Sequence, residues 1–189
     1  MSGVELVVKV GGSLLKSPTD LDLVLSAIAS ASRRCRLLVV PGGGPFAEAV
    51  RVLDKALRLS DEAAHWMAIL GMDQCAHLLA ERLKGSVRVD DREAIEVALS
   101  ANRIPVLSPY RWLRDADPLP HSWDVTSDSI AAWVSGAVGA RRLVLIKPAG
   151  ASGSHLVDAY FHHALPADVV SESVPADQIG ALRTALEAP

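Results

Sequence analysis

Cysteine is scarce: Cys35 and Cys75 are the only two in 189 residues. Two thiols are too few for a disulfide framework or a zinc site, and a reducing cytoplasm suits them. His162 and His163 have no further ligands at metal spacing, so an exposed loop is expected there. No apolar stretch is long enough to cross a membrane, and no signal-like segment precedes the first apolar run, so a cytoplasmic location is expected. Excess positive charge is missing too. With a net charge of −3 and a pI near 6.0, the chain offers no electrostatic case for nucleic acid. The local run Arg33-Arg34-Cys35-Arg36 reads instead as a helix end, where cations complement the dipole. Internal repeats, low-complexity tracts and linkers are also absent. Half the residues are hydrophobic, so one α/β domain over 1–189 with a sizeable core is the expectation. Two common phosphate signatures are lacking as well: no Gly-Lys-Ser/Thr closes a Walker A loop, and Gly-x-Gly-x-x-Gly does not occur.

What the chain does have is glycine at two strand ends. Val4 to Val8 is an apolar run followed by Lys9-Val10-Gly11-Gly12-Ser13. Glycine lets a backbone turn tightly and bring its N–H groups close to a phosphate. A lysine beside such a turn adds a mobile charge able to follow a phosphoryl group. A second strand, Leu37 to Val40, runs into Pro41-Gly42-Gly43-Gly44 and then a helical pattern over Phe46 to Leu57. Three glycines ahead of a helix make a backbone anion site, although a tight unliganded turn would use some of the same residues. Together the two loops point to a polyanion.

Strand and helix patterns alternate along the chain, which predicts a three-layer αβα sandwich with a mostly parallel central sheet. Helices are expected from Thr19 or Asp20 to Ala31, from Ser60 to Leu83, from Asp90 to Ala101 and from Ala176 to Leu186. Further strands are expected at Val87–Val89, Ile104–Leu107 and Leu143–Ile146, the last ending at Lys147-Pro148. On the long helix, Met67, Leu70, Cys75, Leu78 and Leu79 recur at helical spacing.

Asp124-Val125-Thr126-Ser127-Asp128 precedes another helical pattern, with capping residues at its start and two carboxylates that can share its first turn. With the glycine loops upstream, residues 4 to about 147 resemble the amino acid kinase family, which includes acetylglutamate, uridylate, carbamate and isopentenyl phosphate kinases. His65 to Ile69, Met72-Asp73-Gln74 and Pro120 to Asp124 are similar to a narrower branch of that family. This branch is the kinase of methanofuran biosynthesis, which converts [5-(aminomethyl)furan-3-yl]methyl phosphate to its diphosphate.

The resemblance implies an ATP-dependent phosphotransferase, with Mg²⁺ carried in by ATP rather than caged by the protein. It implies Lys9 between donor and acceptor phosphates, and Asp128 orienting the lysines. Gly11, Gly12, Ser13, Gly42, Gly43 and Gly44 would bind phosphate. On the nucleotide side it implies Asp124, Thr126, Ser127 and Lys147, while His65, Trp66, Asp73 and His121 would line an acceptor pocket. Asp124 and Asp128 could instead be capping or first-turn residues, Lys147 a solvated strand end, and His65 and Trp66 a packing pair. An indole face and a carboxylate would suit an aminomethylfuran. Family members are commonly dimers or larger, so a homo-oligomer is implied. Trp66, Met67, Ile69 and Leu70 are candidates for its interface, or equally for the core.

After residue 147 the chain departs from the family. No Gly-Gly-Met-x-x-Lys segment supplies a second catalytic lysine, and no lysine follows Lys147. The nucleotide-binding half is therefore shortened. Two rivals remain: another acceptor (uridylate, isopentenyl phosphate or a carboxylate), or a non-catalytic protein that binds oxyanions or nucleotides.

Overall fold

Apolar runs rich in valine and leucine form most of the strands. These are β1 (Leu6–Val10), β2 (Leu37–Pro41), β3 (Ser86–Val89), β4 (Ile104–Leu107), β5 (Arg142–Lys147) and β6 (Val170–Pro175). They make a single sheet in the order β3-β4-β2-β1-β5-β6, and every recorded pairing is parallel. The computed structural model describes residues 3–152 and 156–187. Helices connect the strands: α1 (Pro18–Ala31), α2 (Gly44–Leu57), α3 (Asp61–Arg82), α4 (Arg92–Ser100), α5 (Tyr110–Ala116), α6 (Ser127–Ala137), α7 (Phe161–Ala164) and α8 (Ile179–Glu187).

Because side chains alternate along a strand, the sheet separates two cores. Val7, Leu38, Val40, Leu143 and Leu145 face one side, under Ile130, Ala131 and Val134 of α6. Leu6, Val8, Val10, Val39, Val144 and Ile146 face the other, under α1 and α8. That arrangement is the αβα sandwich the element pattern predicts.

Helix α3 serves both cores. Trp66, Ile69 and Met72 pack on the first, whereas Ala76, Leu79 and Leu83, the residue closing the helix, pack on the second. A helix that changes its buried side along its length has no continuous apolar stripe. For this reason Leu70, placed on that stripe by spacing, is 41% exposed. Trp66 and Ile69 are spent on the chain's own core and so are not available to an interface.

Several boundaries differ from expectation. Helix α1 starts at Pro18, one or two residues earlier, with Ser17 Oγ donating to Asp20 Oδ2 at 2.7 Å. Helix α8 starts at Ile179 rather than Ala176. Helix α5, helix α7 and strand β6 carry no clear periodic signal. Strand β6 is an edge strand whose residues alternate exposed and half-buried over Val170 to Ser173, so it reads as polar. His162 and His163 are exposed, but they lie on α7 rather than in a loop.

Candidate active site

Lys9 and Lys147 have the parity of Val7, Leu143 and Leu145, so both face the side covered by α6. They stand on neighbouring parallel strands, near the carboxyl ends. Helix α6 begins above them and lowers Asp128 between the two. Lys147 Nζ donates to Asp128 Oδ2 at 2.8 Å, and Lys9 Nζ forms an ion pair with Oδ1 at 2.9 Å. Asp128 Oδ1 accepts no well-aligned hydrogen bond in addition to that pair. The Lys9 ammonium is held against Oδ1, and the N–H groups not turned toward that oxygen stay available to a ligand. Lys9 is 5% exposed, Lys147 6% and Asp128 7%. Two cations against one anion leave the buried cluster one positive charge in excess.

Such a cluster is tense. Burial alone would raise the Asp128 pKa, but the two lysines outweigh it and hold the carboxyl below its ordinary range. Burial, helped by the charge of Lys9, pushes the Lys147 ammonium down despite Asp128. An incoming polyanion would supply the missing negative charge.

The start of α6 is fixed from a distance. Asp158 accepts from Thr126 N at 2.8 Å, Thr126 Oγ1 at 2.7 Å and Ser129 N at 3.0 Å, and also from Ser129 Oγ. Thr126 is the cap, and its own oxygen accepts from Asp128 N. A carboxylate beside free helix N–H groups offsets the dipole and locks the first turn, and therefore Asp128. Asp124 does not share that turn. It lies three residues before α6, exposed, with its carbonyl accepting from Tyr160 N at 3.1 Å. The chain enters the helix at Thr126 because Asp158 draws it there.

The glycine loops meet backbone to backbone. A Cβ on Gly12 would lie 2.1 Å from Gly44 N, and one on Gly42 2.4 Å from Gly12 N. Gly11 N donates to the Ile146 carbonyl at 3.0 Å, which leaves no room for a side chain there either. Gly44 has φ +54° as it opens α2, a left-handed conformation that glycine adopts without strain. Ser13 is exposed on the short 3₁₀ turn Gly12–Lys16. Only this close approach lets both loops offer amides to one ligand.

Beside the loops opens a cleft enclosing about 570 Å³ of space continuous with solvent. Its walls include Gly43, Arg51, Asp61, His65, Trp123 and the Thr126-Ser127 start of α6. Small and apolar side chains (Ala47, Ala64, Ala68, Met72, Val125) fill the remainder. Of the four residues expected in an acceptor pocket, only His65 lines the cleft. His121 stacks on the His65 ring, with centroids 4.4 Å apart, and its Nε2 lies 2.9 Å from Asp117 Oδ1. Trp66 is edge-on to both histidine rings, with Arg114 4.6 Å from its ring centroid. The Trp66 Nε1 is buried and finds no hydrogen-bond partner among the described residues. Asp73 serves structure: its Oδ1 accepts from Tyr110 N at 3.1 Å and holds the start of α5.

Burial, reinforced by His121, lowers the His65 pKa to about 4. At neutral pH the ring is uncharged. Between about 4 and the ordinary 6.5 the unfolded chain takes up a proton that the folded chain refuses, so stability falls as pH falls through that window. Wild type is expected to lose about 1–3 kcal/mol more unfolding free energy than His65→Gln between pH 7 and pH 4. Denaturant titrations at both pH values measure it, and equal losses would contradict the assignment.

Arg51, Asp54, Asp61 and Asp158 carry no motif of their own. For Asp158 a faint signal exists: Thr126 and Ser129 put two hydroxyls on one helical turn, suited to a shared acceptor. Among the described residues, no group of three His, Cys, Asp or Glu side chains converges to hold a metal ion. None of the described helices is long and apolar enough to cross a membrane.

The family model described as the amino acid kinase family matches residues 5–150. Over 140 residues the chain is 31% identical to the [5-(aminomethyl)furan-3-yl]methyl phosphate kinase of Methanocaldococcus jannaschii. That match covers 74% of this chain and 63% of the relative, so the chain spans less than two thirds of the relative's length. The uridylate kinase of Archaeoglobus fulgidus superposes with a TM-score of 0.73 at 14% identity, over 98% of this chain and 96% of that one. An isopentenyl phosphate kinase superposes with a TM-score of 0.61 at 18% identity, over 97% and 96%. These two likenesses concern the fold. The match over residues 5–150, more than three quarters of its length, places the chain in the amino acid kinase family.

Proposed function

We propose that the protein transfers the γ-phosphoryl group of ATP to a phosphate monoester and forms a diphosphate. The observation that carries this reading is Asp128 held between Lys9 and Lys147 at the ends of β1 and β5, beside the paired glycine loops. Phosphoryl transfer asks a protein for alignment and charge compensation more than for covalent chemistry. An acceptor phosphate oxygen bonds to the γ-phosphorus while the bond to the ADP oxygen breaks. An ionised acceptor phosphate needs no general base.

Each residue has a defined part. Lys9 meets the moving phosphoryl charge with the N–H groups that Asp128 leaves free. Lys147 takes the place of the second lysine that the family resemblance implies, reaching the same carboxylate from the next strand. Asp128 keeps both ammonium groups aimed and charged. The Gly12, Gly43 and Gly44 amides cradle the transferring group, whereas the Gly42 amide donates to the Val10 carbonyl at 2.8 Å and holds the loop in place. Thr126 and Ser127 border the group at the start of α6. Mg²⁺ enters with the triphosphate, since Asp128 is already engaged by the lysines and the described residues build no cage.

The 31% identical relative favours [5-(aminomethyl)furan-3-yl]methyl phosphate as the acceptor, within methanofuran-type biosynthesis. The cleft is compatible with it, offering the Trp123 indole to a furan ring and the Asp61 carboxylate to an aminomethyl cation. The free thiols of Cys35 and Cys75 suit a reducing cytoplasm. A homo-oligomer would have to use surfaces other than the Trp66–Ile69 side of α3; light scattering at twice the 20.0 kDa chain mass would support a dimer, and a monomer would remove it.

Incubation with Mg-ATP and each of four acceptors, read by mass spectrometry, tests the proposal: the aminomethylfuran phosphate, uridylate, isopentenyl phosphate and acetylglutamate. The furan diphosphate is expected as the dominant product. A nucleoside or isopentenyl diphosphate would keep the transfer and change the acceptor. ATP binding without any product would favour a non-catalytic nucleotide- or oxyanion-binding protein.

A further inference from the structure

We propose that Arg51 is the residue that binds the acceptor's phosphate, its guanidinium held in place by stacking on Trp123. The inference rests on the phosphate-acceptor reading above and deepens it. Gly43, Ala47 and Arg51 all line the cleft and stand four residues apart, so they share one face of α2 and its entry. Helical side chains lean toward the helix N-terminus, so Arg51 reaches back from two turns away toward the glycine loop. Ala47, between them, leaves the room a ligand would take.

The guanidinium is prepared for that task. Arg51 Cζ lies 4.0 Å from the Trp123 ring centroid. The indole is fixed in turn, because Trp123 Nε1 donates to Asp54 Oδ2 at 2.7 Å. Asp54 sits on α2 one turn beyond Arg51, so one helix supplies both the stacked cation and the anchor of its platform. Stacking occupies the flat face of a guanidinium and leaves its in-plane N–H groups for a bidentate anion. Among the described residues Arg51 forms no ion pair, unlike Arg34, Arg36, Arg82, Arg111, Arg114 and Arg142.

Competing groups in the cleft do not fit the task. Asp61 is an anion, and His65 is uncharged at neutral pH and stacked on His121. The buried lysines are committed to Asp128 and to the transferring group. An acceptor phosphate approaching that group brings like charge toward like charge. A guanidinium on its far side offsets the repulsion and fixes the line of attack.

Steady-state kinetics of the wild type, Arg51→Gln and Arg51→Lys with Mg-ATP and the aminomethylfuran phosphate, uridylate or isopentenyl phosphate, whichever is turned over, test the idea. Arg51→Gln is expected to raise the acceptor KM about ten- to a hundredfold, the worth of a charge-assisted hydrogen-bond pair. The ATP KM should stay within about twofold, and Arg51→Lys should recover part of the loss. Asp54→Ala, which frees the indole, should raise the acceptor KM less than Arg51→Gln and leave the ATP KM alone. An unchanged acceptor KM in Arg51→Gln, or equal weakening toward ATP and acceptor, would overturn the role of Arg51 while leaving the kinase reading intact. If the wild type turns over none of the three phosphate monoesters, the acceptor reading itself fails, and this inference with it.

Discussion

Lys9→Met lowers kcat by roughly a thousandfold, the scale found when one preorganised charge stabiliser is removed from a transfer site. Methionine keeps the length and the apolar stem, so the change isolates the ammonium. The fold should tolerate it. With Lys9 gone, Asp128 still holds Lys147 at 2.8 Å, and the buried cluster passes from one excess positive charge to none. No unpaired ion is left behind. Affinity for the acceptor and for ATP should change far less than kcat, because Lys9 is proposed to act most strongly on charge that develops during transfer. Pre-steady-state kinetics and calorimetric melting would read the two quantities separately. A variant that keeps its rate would show that the lysine only fills the site.

Asp128→Asn has the opposite profile. It removes the one carboxylate serving Lys9 and Lys147, which are 5% and 6% exposed, and leaves two ammonium groups facing each other in a buried place. Breaking a buried pair in this way costs about 3–5 kcal/mol of stability. The rate should fall by at least a hundredfold, since neither lysine is then aimed. Charge counting gives a sharper expectation. Asp128→Asn combined with Lys147→Met removes the ammonium–ammonium repulsion but leaves Lys9 buried without a carboxylate, so the double variant should recover only part of the lost stability. It should recover none of the activity. Denaturant unfolding of both variants together with turnover assays would measure this, and a double variant less stable than Asp128→Asn alone would refute the account.

The local features of this site are legible in the amino-acid sequence. Gly11, Gly12 and Gly42 to Gly44 declare themselves because a strand that ends in glycines has few other physical reasons to do so. The position of Asp128 on a first turn follows from the hydroxyls around it. The pairing of Lys147 with Asp128 needs more: it requires the register of β1 against β5, with Val10 opposite Ile146, and strand order is not written in any one segment. Asp158 acts on Thr126 across 32 residues, and nothing in its own neighbourhood announces that bond. Asp73 shows the reverse problem. A carboxylate on a helix near other motif residues reads as a ligand, yet it is taken up by the Tyr110 amide. Helix α3 hides its role for a geometric reason, since crossing from one core to the other blurs the periodicity that spacing relies on. Arg51 is unremarkable in sequence; Trp123 belongs to the Pro120–Asp124 run, but its stacking on Arg51 and its bond to Asp54 come only from the fold.

Tracing the phosphoryl group itself is the most direct test. Wild-type protein would be given Mg-ATP labelled with oxygen-18 in its γ-phosphoryl group, together with [5-(aminomethyl)furan-3-yl]methyl phosphate, and the products weighed by mass spectrometry. Transfer through the Lys9–Asp128–Lys147 cluster predicts a furan diphosphate carrying the label in its terminal phosphoryl group, formed in equal amount with ADP and lost in Lys9→Met. Label recovered only as inorganic phosphate, or ATP bound and returned unchanged, would contradict phosphoryl transfer to this acceptor.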